Sequence, residues 1–264
     1  MTLVNHLTTR FLSVLVIVFI FNSCVREDED LAAKVNIIAH RGYHMLQLEN
    51  TTESFQAAVK KNFKHLEFDI SFTKDYQPVI LHDYLLDEQS DTTGAIGDFY
   101  FSDVNLINLS GGFKIPSFDT VMQKFGTSFE TFFIDLKEPC PDSGLINFAK
   151  VIEKNHAYAT TIITSANPDV IRRLKNLDPA LIVGSDDASG DFEDNLDECI
   201  KQKYKHLLIS FELLDKHLCF IAHANGIKVY AYTPNSEQDM LKCLSFDIDG
   251  IMSDNPDLLK QLLY

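Results

Sequence analysis

Basic residues are scarce in this sequence. Its 264 residues include 23 Lys and Arg against 38 Asp and Glu, which gives a formal net charge of −15 at neutral pH. A surface of this sign repels the phosphates of nucleic acid, so we expect no nucleic-acid partner. A small anionic substrate would have to be held by local positive charge, either from a metal ion or from a few well-placed cations.

Cysteine pairs at metal-binding spacing are also absent. The sequence has 5 Cys, with no C-x-x-C pair and no histidine at zinc-finger spacing, so a structural zinc site is not predicted. For Cys140, Cys199, Cys219 and Cys243 we favour buried free thiols. Disulfides are the alternative if the protein reaches an oxidising compartment.

No hydrophobic run is long enough to span a bilayer. Residues 11–21 are eleven uncharged, mostly apolar residues, which is the length of a signal-peptide core. The segment resembles a bacterial lipoprotein signal, which implies that Cys24 is the lipidated first residue of the mature chain. Ordinary secretion and an uncleaved anchor are the alternatives. We therefore predict a signal peptide at 1–23, a tether at 24–34, one domain at 35–264, and an exported, membrane-anchored protein facing the periplasm or the cell surface.

Short apolar runs alternate with segments of helical period from residue 35 onward. Eight runs are strand candidates: 35–39, 65–70, 131–137, 160–165, 180–185, 206–211, 228–233 and 246–252. Helical patterns cover 142–155, 167–177, 191–203, 215–225 and 236–245. This alternation is typical of an α/β protein, and eight units favour a (β/α)8 TIM barrel. The sequence has no Gly-x-Gly-x-x-Gly turn, which disfavours an open dinucleotide-binding sheet.

One further apolar run, residues 78–83, interrupts the alternation. Only residues 71–77 separate it from the second strand, which is too short for a parallel crossover. We therefore predict a β-hairpin extension that brings His82 beside the end of that strand. The segment 84–114, rich in glycine and polar residues, is expected to be an inserted loop or small subdomain over one end of the barrel.

The first helix has a predicted start. Asn50 is a candidate N-cap and Glu53, three residues later, could complete a capping box. Glu49 would then lie just outside the cap, on the loop after the first strand.

Polar residues that could carry chemistry cluster at the predicted carboxyl ends of three strands, where the functional groups of (β/α)8 barrels gather. Side chains two residues apart on a strand project from the same face, so Glu67 and Asp69 form one such pair, and Asp135 and Lys137 another. The full set is His40, Arg41, Glu49, Glu67, Asp69, His82, Asp135 and Lys137.

Several carboxylates in a small space require a cation among them. Oxygen ligands suit Mg²⁺ or Ca²⁺ better than zinc, so one divalent cation of this kind is predicted. Two histidines beside the metal, His40 and His82, could act as general acid and general base in a displacement at phosphorus. Arg41 and Lys137 could contact phosphate oxygens, although an ion pair with a metal-ligating carboxylate is the alternative for each.

The motifs "AHRG", "ENT", "LEFDISFTKDYQPVILHD", "FIDLK", "AYTPN" and "DGIMSDNP" resemble the glycerophosphodiester phosphodiesterase family, and the resemblance covers nearly all of residues 35–258. It implies a metal-dependent (β/α)8 enzyme that hydrolyses glycerophosphodiesters to glycerol phosphate and an alcohol. By position, it implies that His40 and His82 are the acid/base pair and that Arg41 is a phosphate contact. It also implies that Glu67 and Asp69 are metal ligands and that Glu49 lies near or on the metal.

The sequence departs from the family pattern at several positions. Asp135 replaces the Glu of an "E-x-K" strand that Lys137 otherwise matches, so that ligand is one methylene shorter. Tyr232 replaces a Trp and keeps an aromatic wall for the substrate, and Leu48 replaces a Pro in a loop. Acidic residues also replace a cation within 85–94, which leaves the choice of substrate open.

Two other functions fit the same residues. The first is a sphingomyelinase D-like or lysophospholipase D-like phosphodiesterase on the same barrel. The second is a lipid-anchored module that binds phosphodiesters without cleaving them. The intact "ENT" motif and the long segment 84–114 favour the glycerophosphodiesterase over the first, and the complete set of competent residues disfavours the second.

Overall fold

The computed structural model describes residues 35–186 and 190–264. The predicted signal peptide, Cys24 and the predicted tether lie outside the described residues. Within the described ranges, no helix combines the length and the apolar character needed to cross a membrane.

A nearly closed barrel of parallel strands forms the centre of the molecule, which confirms the predicted fold class. The strands are β1 (Asn36–Ala39), β2 (His65–Phe72), β3 (Pro78–Ile80), β4 (Thr131–Leu136), β5 (Thr161–Thr164), β6 (His206–Ser210), β7 (Lys228–Tyr232) and β8 (Gly250–Ser253). Seven of them are parallel and follow the order β5-β4-β2-β1-β8-β7-β6, while β3 lies off this path beside β2.

The gap between β5 and β6 is closed by the predicted run at 180–185. Val183 makes a parallel bridge to Ile163 in β5, and Ser185 makes one to Leu207 in β6. Gly184 allows this close approach, because a Cβ there would lie 2.6 Å from the carbonyl oxygen of His206. All eight predicted runs thus belong to the barrel wall, one of them as isolated bridges rather than a regular strand.

Helices follow the strands and cover the outside of the barrel, as the alternating pattern predicts. They are α1 (Thr52–Lys60), α2 (Phe101–Val104), α3 (Phe118–Phe125), α4 (Asp142–Lys154), α5 (Pro168–Leu177), α6 (Phe192–Gln202), α7 (Lys216–Ala224), α8 (Glu237–Leu244) and α9 (Pro256–Leu263). The five segments predicted to be helical are observed as α4 to α8, each within two residues at either end.

Two apolar layers hold this architecture together. The larger one packs the helices against the outer face of the sheet and includes Phe55, Phe118 and Phe148. The smaller one fills the barrel interior with Ile38, Phe133, Ile162, Leu208, Tyr230 and Met252. A filled interior leaves room for polar groups only at the ends of the strands.

The predicted hairpin is present. β3 pairs antiparallel with β2, with Ile70 opposite Ile80 and Phe72 opposite Pro78. The segment 84–114 then forms a small unit that contains α2 and two short 3-10 turns. Its apolar residues, such as Leu86, Ile96 and Val104, form a cluster separate from the main core, together with Val79 of β3 and Leu81.

The predicted cap of α1 was wrong. Thr51 is the N-cap: its hydroxyl accepts from the backbone N–H of Ser54 at 3.2 Å, and the Ser54 hydroxyl accepts from Thr51 N–H at 3.3 Å. Glu53 is exposed. Asn50 lies one residue earlier with a φ of 55°, a left-handed conformation that turns its side chain away from the helix and toward β2.

Four cysteines in the described residues, Cys140, Cys199, Cys219 and Cys243, are buried free thiols. This is the favoured alternative of the two that the sequence left open.

The corrected cap can be tested by comparing two substitutions. Thr51→Ala should lower the free energy of unfolding by about 1–2 kcal/mol, because the N–H of Ser54 loses its acceptor in a buried position. Glu53→Ala is the matched control and should change stability by less than about 0.5 kcal/mol. Urea unfolding of both variants measures the difference, and a larger loss for Glu53→Ala would restore the original capping assignment.

Candidate active site

The turn after β1 places two candidate residues at the carboxyl end of the barrel. His40 follows β1 directly, and Arg41 and Gly42 then take left-handed φ values of 51° and 88°. This reversal directs the backbone N–H of Arg41 to Oε2 of Glu67, at 2.9 Å. Glycine is required at position 42, because a Cβ would lie 2.3 Å from the hydroxyl oxygen of Ser54.

Three carboxylates lie on neighbouring strands at the same end. Glu67 and Asp69 lie two residues apart on β2 and therefore project from the same face. Both are buried, with 4% and 1% of their surface exposed. The parallel register of β2 and β4 sets Asp69 opposite Asp135. The i, i+2 spacing and this register together bring the predicted acidic residues to one place.

Two cations connect these carboxylates. Arg41 Nη1 lies 2.7 Å from Glu49 Oε1, and Arg41 Nε lies 3.3 Å from Asp69 Oδ2. Lys137 Nζ lies 3.1 Å from Asp69 Oδ1 and also donates a hydrogen bond to Asp135. Asp69 is therefore the carboxylate that both cations share.

Asn50 makes a contact with Asp69 that the sequence did not predict. Its Nδ2 donates to Asp69 Oδ2 at 2.7 Å, and its Oδ1 accepts from the backbone N–H of Asp69 at 3.3 Å. This paired contact fixes the orientation of a buried carboxylate. The "ENT" motif was the only sequence signal for it.

Burial and charge act in opposite directions on these groups. Burial, reinforced by Asp69, raises the pKa of Glu67 well above its usual value. Burial also acts to raise the pKa of Asp69, but Lys137 and Arg41 outweigh it and lower that pKa. Burial and then Asp186 raise the pKa of Asp135 to about 7. The cluster therefore holds more acidic groups than the two cations can keep ionised.

His40 lies beside this cluster with both ring nitrogens near carboxylates. Its Nδ1 is 2.6 Å from Asp254 Oδ1, and its Nε2 is 3.8 Å from Glu67 Oε2. A second histidine, His44, contacts the same Asp254 oxygen through its Nε2 at 3.0 Å. An ionised Asp254 accepts from Nδ1–H of His40 and leaves Nε2 to exchange a proton in the cleft.

His82 follows β3 on the hairpin, as predicted. Its Nδ1 lies 2.7 Å from Asp83 Oδ1. The two candidate histidines thus share one pattern, in which a carboxylate contacts Nδ1 and Nε2 is the nitrogen that could exchange a proton with a substrate.

A cleft of about 290 Å³ joins these groups at the carboxyl end of the barrel. Phe133, Leu208 and Met252 contribute its apolar surface. The predicted site residues that line it are His40, Arg41, Glu67, Asp69, His82, Asp135, Lys137 and Tyr232. Glu49 contacts Arg41 but lines a neighbouring groove together with His82.

The acidic cluster offers the ligand atoms that a hard divalent cation prefers. Asp135 Oδ1 is buried without a hydrogen-bond partner among the described residues, and an unpaired buried carboxylate oxygen is costly unless a cation or water meets it. Glu67, Asp69 and Asp135 offer only oxygen atoms, which Mg²⁺ and Ca²⁺ prefer.

A second group could also hold a metal. His40, His44 and Asp254 each offer one ligand atom within 4.8 Å of the others. Hydrogen bonds already account for this arrangement, because His40 Nδ1 and His44 Nε2 both lie within hydrogen-bonding distance of Asp254 Oδ1. Placing the cation on Glu67, Asp69 and Asp135 stays a prediction from the sequence, because His40, His44 and Asp254 are the group in the described part of the chain whose possible ligand atoms lie this close together. The sequence analysis had singled out neither Asp254 nor His44; the "DGIMSDNP" motif was the available signal for Asp254.

Known proteins resemble this chain over most of its length. The model of the glycerophosphoryl diester phosphodiesterase family matches residues 40–258. A glycerophosphodiester phosphodiesterase of Caldanaerobacter subterraneus is 24% identical over 253 residues, which cover 87% of this chain and 98% of that protein.

Solved structures show the same fold. A structure from Galdieria sulphuraria has a TM-score of 0.80 at 23% identity and covers 87% of this chain and 97% of its own. An Oleispira antarctica phosphodiesterase, solved in complex with the product sn-glycerol-3-phosphate, has a TM-score of 0.77 at 23% identity. It covers 86% of this chain and 95% of its own.

Asp135 should make stability depend on pH when divalent cations are removed. Its pKa of about 7 in the folded protein exceeds the value of about 3.9 for an unfolded chain, so folding favours its protonated form. This contribution is complete below about pH 4 and is lost as the pH rises through about 7. In EDTA, from pH 5 to pH 8, the wild type should lose on the order of 2 kcal/mol more unfolding free energy than Asp135→Asn.

Urea unfolding at the two pH values measures this difference. Excess Mg²⁺ or Ca²⁺ should reduce it, because a bound cation stabilises the ionised carboxylate. Equal losses in both proteins would show that Asp135 is not the titrating group.

Proposed function

Because the chain belongs to the glycerophosphoryl diester phosphodiesterase family, we propose that it hydrolyses glycerophosphodiesters to glycerol phosphate and an alcohol. The observation that carries this proposal is the position of His40 and His82 on one cleft beside the buried acidic cluster. The Oleispira antarctica phosphodiesterase of the same fold holds sn-glycerol-3-phosphate as its product, which supports the choice of substrate class.

His40 and His82 act as the acid and the base. One imidazole takes a proton from the attacking hydroxyl, and the other gives a proton to the departing alkoxide. Each has a carboxylate within hydrogen-bonding distance of Nδ1, Asp254 for His40 and Asp83 for His82. The attacking group is water or the neighbouring hydroxyl of the glycerol, and the second would give a cyclic phosphate first.

Positive charge in the cleft binds the phosphodiester. Arg41 presents a guanidinium fork that matches phosphate oxygens, and Lys137 adds an ammonium group. Both are paired with carboxylates, so a divalent cation would have to add to their charge before the cleft attracts an anion against the net charge of −15. Tyr232 lines the same cleft and offers an aromatic wall to the substrate.

A divalent cation, Mg²⁺ or Ca²⁺, completes the site. Glu67, Asp69 and Asp135 would hold it, with Glu49 as the further candidate ligand beside Arg41. When bound, such an ion neutralises phosphate charge and stabilises the transition state. Lys137 and Arg41 keep Asp69 ionised before the ion binds, because they lower its pKa against the effect of burial.

The N-terminal segment leads to a separate proposal on location. Residues 1–23 would direct export and Cys24 would carry the lipid, leaving the domain tethered to the outside of a membrane. Expression in a bacterial host with a labelled fatty acid should label the wild-type chain, and Cys24→Ala should abolish the label. Equal labelling of both would reject Cys24 as the site.

A substrate panel tests the proposed activity. The protein should release glycerol phosphate from glycerophosphocholine and related diesters in Mg²⁺ or Ca²⁺, and EDTA should lower the rate by at least about 10²-fold. His40→Ala and His82→Ala should each lower the rate by about 10²–10⁴-fold, because each removes one proton-transfer group. Glycerol phosphate is measured by a coupled enzymatic assay.

Exposed His217 on α7 provides the control, since His217→Ala should leave the rate unchanged. Faster cleavage of lysophospholipid than of glycerophosphocholine would favour the sphingomyelinase D-like or lysophospholipase D-like activity. Diester binding without release of product would indicate a binding module.

A further inference from the structure

We propose that Asp254, held by Asn235, is the positioning residue that fixes the tautomer and orientation of His40. This inference deepens the proposed function and rests on it, because it takes His40 as one of the two proton-transfer groups.

Asp254 contacts both histidines of the "HRGYH" segment. Its Oδ1 lies 2.6 Å from His40 Nδ1 and 3.0 Å from His44 Nε2. An ionised carboxylate can only accept, so both of these ring nitrogens carry a proton. The proton on Nδ1 of His40 then leaves its Nε2 unprotonated in the neutral ring, facing the acidic cluster where Glu67 lies 3.8 Å away.

Asn235 fixes the second oxygen of Asp254. Its Nδ2 donates to Asp254 Oδ2 at 2.6 Å, while its Oδ1 accepts from the backbone N–H of Asp254 at 2.9 Å. The Ser253 hydroxyl donates to the same Oδ1 at 2.9 Å. This reciprocal pair prevents rotation of the carboxylate, so Oδ1 stays directed at His40.

The backbone around Asp254 is held from both sides. Strand β8 ends at Ser253, whose carbonyl oxygen accepts from His40 N–H at 3.3 Å, so adjacent strand ends place residues 40 and 254 together. Helix α9 begins with Pro256 after the N-cap Asn255. Asp254 therefore lies in a short, restrained connection and not on a long loop.

The same contacts explain one residue in each of two family motifs. Asn235 ends "AYTPN" and Asp254 lies in "DGIMSDNP", and neither residue lines the main cleft. Their part in the site is to hold His40, which does line it.

Asp254→Asn tests the proposal. An asparagine keeps the size of the side chain but can present an N–H to His40 and stabilise the wrong tautomer. We expect kcat on glycerophosphocholine to fall by about 10²–10⁴-fold, as for the equivalent change in a hydrolase triad, with KM within about threefold. Asn235→Ala should give a smaller fall in kcat, because the carboxylate remains but can rotate.

A double-mutant comparison separates positioning from general damage. In the His40→Ala background, Asp254→Asn should lower the remaining rate by less than about threefold, because its effect passes through His40. In the His82→Ala background, Asp254→Asn should still lower the rate by nearly as large a factor as it does in the wild type. A full loss in both backgrounds would overturn the proposal in favour of a structural role.

Two further measurements complete the experiment. Asp257→Asn is the matched control. This carboxylate lies three residues later, in the first turn of α9, and binds Tyr43 and Lys61, so its loss should leave kcat unchanged. Titration with Mn²⁺, followed by its electron paramagnetic resonance signal, should give the same affinity for wild type and Asp254→Asn. Weaker Mn²⁺ binding in Asp254→Asn would make Asp254 a metal ligand and overturn the proposal. Full activity of His40→Ala would instead refute the proposed role of His40. That outcome is distinct from the results above, which test only the role of Asp254.

Discussion

The balance between three buried carboxylates and two cations is the constraint on which the rest of the site depends. Glu67, Asp69 and Asp135 lie at the ends of adjacent strands, where burial acts to raise each pKa. Arg41 and Lys137 offset this charge only in part. The fold therefore carries an excess of acidic groups at one position, and a divalent cation is the simplest partner that would stabilise it.

Local backbone geometry orients the groups that contact the carboxylates. Arg41 and Gly42 reverse the chain directly after β1, so that a backbone N–H and a side chain from one residue reach different carboxylates. Asn50, also left-handed, fixes Asp69 from the same loop. The two histidines then approach from separate elements, His40 from β1 and His82 from the hairpin, and each binds a carboxylate at Nδ1. The site is thus a set of hydrogen-bonded pairs at the carboxyl end of the barrel.

Many of these features could be read from residue pattern, because they depend on short-range periodicity. The apolar runs and helical segments predicted the barrel, including the irregular run at 180–185 that closes it. The i, i+2 carboxylates and the short connection before residue 78 predicted which side chains converge. The cap of α1 was predicted wrongly because Asn50 and Thr51 are both good cap residues, and only the contact with Asp69 decides between them.

The sequence alone determined the fold class, the convergence of the acidic residues and the family, since these follow from periodicity and from motifs in a fixed order. The tertiary structure decided the contacts between residues far apart in the chain. Asp254 lies 214 residues from His40, yet adjacent strands β1 and β8 bring the two within 2.6 Å. No local pattern encodes such a pair, because the closure of the barrel, and not the spacing along the chain, makes them neighbours.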